Sequence, residues 1–206
     1  MNTPAKAPLR LPTEPLAQAI AAEWAGQGEQ LKPAGMILTQ LANTAIDRVA
    51  SDPAPVIREL LAYGGSDLLC YRAEEPESLV ALQQARWQPL LDWLAQQHDA
   101  PLAVHAGIVP RPQPEASIAA LERHLSSLQP FKLAGLAAAA QASGSLVIAL
   151  ALAQDRIGPD EAFDLAELDA SFQIERWGED AEAAARRQRL RQELADIHRF
   201  LRLLSA

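Results

Sequence analysis

A chain of 206 residues that is 49% apolar and 21% charged has the apolar content to bury a core, and it lacks the charge density of a disordered chain. Its formal charge of −8 is opposite in sign to the basic footprint that phosphate demands, which excludes nucleic acid as the expected partner and disfavours an anionic membrane surface. One cysteine, Cys70, permits no internal disulfide and fits a reducing compartment, and Met1–Arg10 lacks the apolar stretch of a secretory signal.

Taken in chain order, residues 2–12 are proline-rich and extended, with Leu9 and Leu11 alternating as in a short edge strand. Thr13 reads as an N-cap with Pro15 in the first turn of a helix. Leu16, Ile20 and Trp24 repeat along it, and it ends near Gly26–Gly28. After Pro33, the positions Leu38, Leu41, Ala42, Ala45, Ile46 and Val49 form a helical stripe. Asp52-Pro53 opens a short helix carrying Val56, Ile57, Leu60 and Leu61, which Gly64-Gly65 closes. The run Asp67–Arg72 is too short to decide between helix and strand.

A long helix is predicted over 76–97 with Pro89 as a kink, then one short strand within 101–109 built on Leu102, Val104, Ile108 and Val109. Four further helices are predicted over 114–128, 130–155, 159–177 and 179–204, with Pro114, Pro130 and Pro159 in first-turn positions. In the last of these, Leu190, Leu194, Ile197, Leu201 and Leu204 form one packed face. The run Leu133–Ala153 is long enough to span a bilayer, which takes about 20 residues. Alanine dominates it, however, and Gln141, Ser143, Gly144 and Ser145 sit in its middle without flanking aromatic belts. The expectation is a buried helix surrounded by others. The fold class is mainly α: a multi-helix domain around a central Ala-rich buried helix, with a few short strands.

No catalytic pattern emerges. Cys70 lies between Leu69 and Tyr71 without a glycine turn to expose it, as expected of a small buried hydrophobe. The histidines 98, 105, 124 and 198 do not stand at metal-ligand spacing, and no phosphate-binding glycine motif occurs. Neither cofactor nor metal is expected. The carboxylate clusters sit at helix starts, where they offset the helix dipole.

The segment Asp169–Asp180, reading DASFQIERWGED, is different. On a single helix Phe163, Ala170, Ile174 and Trp177 share one side, and Leu165, Leu168 and Phe172 share nearly the opposite one. Asp169, Gln173 and Arg176 run between them, close enough to bond one another. Such a strip is either an interior polar network or a recognition strip beside an aromatic anchor.

The stretch QIERWGED (Gln173–Asp180) resembles the C-terminal hallmark of the F1-ATPase assembly chaperones that bind the alpha subunit, in a bacterial form. TPAKAPLRLPTEPLAQAIAAEW from Thr3, LTQLANTAID from Leu38, DLLCYRAEEPESLVALQQARWQPLLDW from Asp67 and GSLVIALAL from Gly144 follow that family's order and cover most of the chain. The resemblance implies a small N-terminal β-rich part before a larger helical domain. Residues 1–12 would be an extended remnant of the first and 13–206 the helical domain. Family members carry a strand-rich stretch ahead of the TPAK-like segment, whereas here only Met1 and Asn2 precede it.

The resemblance implies no enzyme activity and no cofactor. It implies a cytoplasmic chaperone (mitochondrial-matrix in homologues) that holds unassembled F1 alpha subunit and masks its beta-contacting surface until beta displaces it. Asp169, Gln173, Arg176, Trp177, Glu179 and Asp180 are the residues expected to contact the partner or fix the contacting helix. Trp24, Trp87 and Trp93 lie on helical stripes and are expected in the core. A helical adaptor for another partner is the alternative.

Overall fold

The computed structural model describes residues 1–107 and 111–205, and among them are ten α-helices, nine of them packed around one buried helix. Helix α1 (Glu14–Ala25) begins as its sequence dictates: Thr13 Oγ1 accepts from the Leu16 amide at 3.3 Å. The same hydroxyl donates to the Leu203 carbonyl at 2.6 Å, tying the start of α1 to a residue 190 positions later.

Helix α2 (Ile37–Thr44) has no cap of its own, and the Glu23 carboxylate of α1 supplies one. It accepts from the Leu38 and Thr39 amides at 2.8 and 2.9 Å. The chain then widens into a single π-helical turn, Ala45–Val49. There Asp47 holds Thr3 Oγ1 at 2.5 Å and the Ala5 amide at 3.1 Å. The N-terminal segment is therefore neither a free edge strand nor loose. It makes a bridge between Asn2 and Pro8, and Leu9 and Leu11 pack on the core.

Helix α3 (Ala54–Gly65) leads to a 3-10 turn, Leu68–Cys70, and to strand β1 (Tyr71–Arg72). Helix α4 (Glu77–His98) runs through Pro89 for 22 residues. Strand β2 (His105–Ala106) pairs with β1 in parallel, Tyr71 opposite His105 and Arg72 opposite Ala106. Residues 108 and 109, assigned above to the same strand, lie outside the described residues. The ambiguous run 67–72 is thus a capped 3-10 turn followed by a two-residue strand.

Helices α5 (Glu115–Ser126), α6 (Pro130–Ser143), α7 (Leu146–Ala153), α8 (Pro159–Ala166), α9 (Leu168–Trp177) and α10 (Ala181–Leu203) complete the chain. Two of the long helices read from the sequence are each two helices. The predicted helix 130–155 breaks at Gly144, whose φ of +71° suits glycine, and Ser145 starts afresh as the N-cap of α7. Helix α7 is buried on every side, and this accounts for its apolar residues all round. No helix among the described residues is long and apolar enough to cross a membrane.

The predicted helix 159–177 breaks at Glu167, which leaves helical geometry and brings its carboxylate to Arg186 and Arg187 of α10. Phe163 therefore does not share a helix face with Ala170, Ile174 and Trp177.

Of the expected core tryptophans, Trp87 is buried and donates Nε1–H to the Leu165 carbonyl at 3.0 Å. Trp24 and Trp93 are half-buried against the core.

Candidate protein-binding face

Helix α9 is held by one face of α4. Three side chains of α4 reach across in antiparallel order. Trp87 bonds to Leu165 just before α9, Gln83 Nε2 donates to Asp169 Oδ1 at 2.8 Å, and Ser78 Oγ accepts from Arg176 at 3.1 Å. Gln83 is buried, and its own carbonyl accepts from the Ala73 amide at 2.8 Å. Asp169 is thereby wired through Gln83 to the end of β1. Asp169, Gln173 and Arg176 do line one side of α9, but among the described residues no hydrogen bond joins them to one another. Asp169 and Arg176 find their partners on α4.

The six expected site residues fall into two groups. Asp169, Gln173, Arg176 and Trp177 stand on α9. Gln173 is exposed, and the Arg176 guanidinium lies 4.0 Å over the Phe172 ring. Trp177 is 77% exposed, a large apolar surface at the end of the helix. Glu179 and Asp180 stand beyond it and position α10. Asp180 Oδ1 accepts from the Glu182 and Ala183 amides at 2.9 and 2.8 Å, and Glu179 pairs with Arg187 Nε at 3.1 Å. Arg187 also meets Glu167 at 2.8 Å and Ser171 at 2.9 Å, so the turn Gly178–Asp180 is fixed between α9 and α10. Glu167, Arg186 and Arg187 form a network that no sequence spacing singles out.

Two depressions flank the start of α9. One, about 310 Å³, lies between α4 and α8–α9 with Leu82, Leu168 and Phe172 in its walls. The other, about 380 Å³, lies between β1 and Asp169. Leu82 is itself a partly exposed leucine, so α4 adds apolar surface next to Phe172.

Among the described residues, neither Cys70 nor the histidine pair His98–His124 forms a catalytic centre. Cys70 is buried, and its thiol is pushed up to about 12, first by burial and then by the Asp67 charge, so it offers no thiolate at neutral pH. His98 and His124, 26 positions apart in sequence, meet edge to face at 4.4 Å, and Gln154 Nε2 donates to His98 Nε2 at 2.9 Å. Burial holds both imidazoles below the ordinary histidine range, His98 further through the neighbouring His124. No group of three or more metal-ligating side chains occurs among the described residues.

Comparison with known proteins identifies the fold and the family. The sequence model of the ATP12 chaperone protein matches residues 1–95. The structure superposes on Atp12 from Paracoccus denitrificans with a TM-score of 0.93 and 43% identity, covering 99% of this chain and 88% of that one. A single-residue variant of the same Paracoccus protein matches with a TM-score of 0.93, 43% identity and 87% of its chain. A protein of Agrobacterium tumefaciens described as a chaperone matches with a TM-score of 0.91, 40% identity and 75% of its chain. With this identity sustained over nearly its whole length, the chain belongs to the ATP12 chaperone family, whose members assist ATP synthase assembly and are not enzymes.

Proposed function

We infer that the chain binds the unassembled F1 alpha subunit through the face built on α9 and covers the surface that alpha later presents to beta. Beta then displaces it. The observation that carries this reading is Trp177, 77% exposed at the end of a helix that Asp169 and Arg176 tie to α4. Indole side chains are enriched among the residues that dominate binding energy, and a rigid scaffold lowers the cost of offering one. The half-buried Phe172 and Ile174 extend the apolar surface, while Gln173 and Asp169 give it a polar border. Cys70, free and buried, is compatible with a reducing cytoplasm as the place of work.

The test is a pull-down of separately expressed alpha and beta subunits from the same source. Retention of alpha and not beta, weakened by Trp177→Ala, supports the reading. Retention of unrelated proteins in preference to alpha would favour a general helical adaptor.

A further inference from the structure

A depression of about 350 Å³ lies where the C-terminal ends of α4, α5 and α7 meet α6 and α10. Its apolar wall includes Leu136, Leu150 and Leu201, all buried. Leu150 belongs to the central helix α7, so the depression reaches the core. Its polar lining includes His98, His124, Lys132 and Gln154. No carboxylate lines it, although the chain carries 26 acidic residues against 18 basic ones.

The polar groups here are open to a ligand. Lys132 is exposed, and its ammonium has no hydrogen-bond or ion-pair partner among the described residues. The His124 ring is half-buried and bonds to nothing among the described residues. Neither of its nitrogens is sealed from solvent as Trp24 Nε1 and His105 Nε2 are. The ring is held by packing: His98 meets it at 4.4 Å, Trp93 meets His98 in turn at 5.3 Å, and Gln154 fixes His98 Nε2 at 2.9 Å. Asp99 and Asp155 follow residues of the lining but do not line the depression themselves. Asp155 is paired with His198 at 2.8 Å and Arg202 at 2.9 Å.

The lining selects among ligands. One ammonium and two imidazoles that burial keeps neutral match a single negative charge. A cation would meet Lys132, and a doubly charged phosphate would find one counter-charge. A wholly apolar molecule would cover His124 without bonding to it, which costs the desolvation of that ring. A carboxylate on a hydrocarbon body satisfies both halves, in a cavity at the small end of the range that holds such ligands.

We propose that this depression binds a small monocarboxylate with a hydrocarbon body, of the medium-chain fatty acid class. Its carboxylate accepts from Lys132 Nζ and a His124 ring N–H, and its chain lies on Leu136, Leu150 and Leu201. No residue of the lining belongs to α9, so the site is independent of the client-binding face and of the reading above. Because the ligand touches five helices of the folded chain, it raises the melting temperature. An anion beside His124 favours the protonated ring, so binding tightens as pH falls from 8 to 6.

The experiment titrates the full chain with acetate, hexanoate, octanoate and octanol by calorimetry, and follows the ring proton signals of His124 by NMR. Octanoate should bind about tenfold more tightly than hexanoate, as two further buried methylenes require. It should shift the His124 signals and outbind octanol. Lys132→Gln, a change at an exposed position, should weaken octanoate about tenfold to the level of octanol with an unchanged melting temperature. His124→Gln should weaken octanoate and abolish its pH dependence. Acetate bound as tightly as octanoate would mean an ion at the lysine alone and overturn the proposal. Octanoate binding that Lys132→Gln leaves unchanged, or that Trp177→Ala removes, would place the ligand elsewhere and overturn it too. Absence of octanoate binding at millimolar concentration would do the same.

Discussion

Asp67 and Ser145 are 78 positions apart in sequence, yet the Ser145 hydroxyl donates to Asp67 Oδ1 at 2.7 Å inside the protein. The Asp67 carboxylate also accepts from the Leu69 amide at 3.1 Å and the Val147 amide at 3.1 Å. One buried side chain therefore starts both the turn before β1 and the central helix α7, joining the segments DLLCYR and GSLVIALAL. Gln83 makes the next joint, from β1 to α9. The structure behind the binding face is a chain of buried polar connections, each anchored at a helix or strand end.

Burial raises the Asp67 carboxyl from 3.8 to about 6, against the pull of its hydrogen bonds. Since the folded value lies above the unfolded one, this contribution to stability is complete below pH 3.8 and is lost as pH rises through about 6. The size is roughly 3 kcal/mol. The stability advantage of wild type over Asp67→Asn should therefore shrink by up to this amount between pH 4 and pH 7.5, read by urea denaturation. An advantage independent of pH would show that the carboxylate is not held this way.

His98 and His124 act in the opposite sense. Their folded values lie below the ordinary 6.5, so the stability they confer is complete above 6.5 and is lost as pH falls through the lowered values. Wild type should lose stability faster than His124→Gln when the pH is lowered from 7 to 5. Parallel curves for the two proteins would contradict this.

Gly135 of α6 faces α10 so closely that an added Cβ would lie 2.7 Å from Leu201 Cδ2 and 3.2 Å from Phe200 Cδ1. Gly135→Ala gains helix propensity of up to about 1 kcal/mol but overpacks a buried contact, which costs about 1–3 kcal/mol. A net loss of about 1–2 kcal/mol is expected. A melting temperature above wild type would show that Leu201 moves aside freely.

Trp177→Ala removes an exposed side chain and should change stability by less than about 0.5 kcal/mol. Affinity for alpha should fall at least about tenfold. If stability falls instead and affinity holds, Trp177 supports the fold and does not bind the client.

Several helix starts were legible in the sequence because a cap or a proline stood in the chain itself: Thr13, Pro130 and Pro159 begin helices as their chemistry requires. The break at Gly144-Ser145 had the signals of a glycine C-cap and a serine N-cap, but the apolar run around them outweighed both. The break at Glu167 had no local signal, and the partners of its carboxylate, Arg186 and Arg187, stand on another helix. Likewise, spacing placed Asp169, Gln173 and Arg176 on one side of a helix but could not supply Gln83 and Ser78 as their partners. The pairing of His98 with His124 is a tertiary fact that no spacing rule reaches.

The most direct test of the central claim is light scattering of isolated F1 alpha subunit at a temperature where it aggregates, with and without this chain, followed by addition of beta. The account predicts that a stoichiometric amount of chain suppresses scattering, that Trp177→Ala does so poorly, and that beta releases the chain as alpha and beta associate. Unchanged aggregation of alpha, or a complex that beta fails to displace, would contradict it.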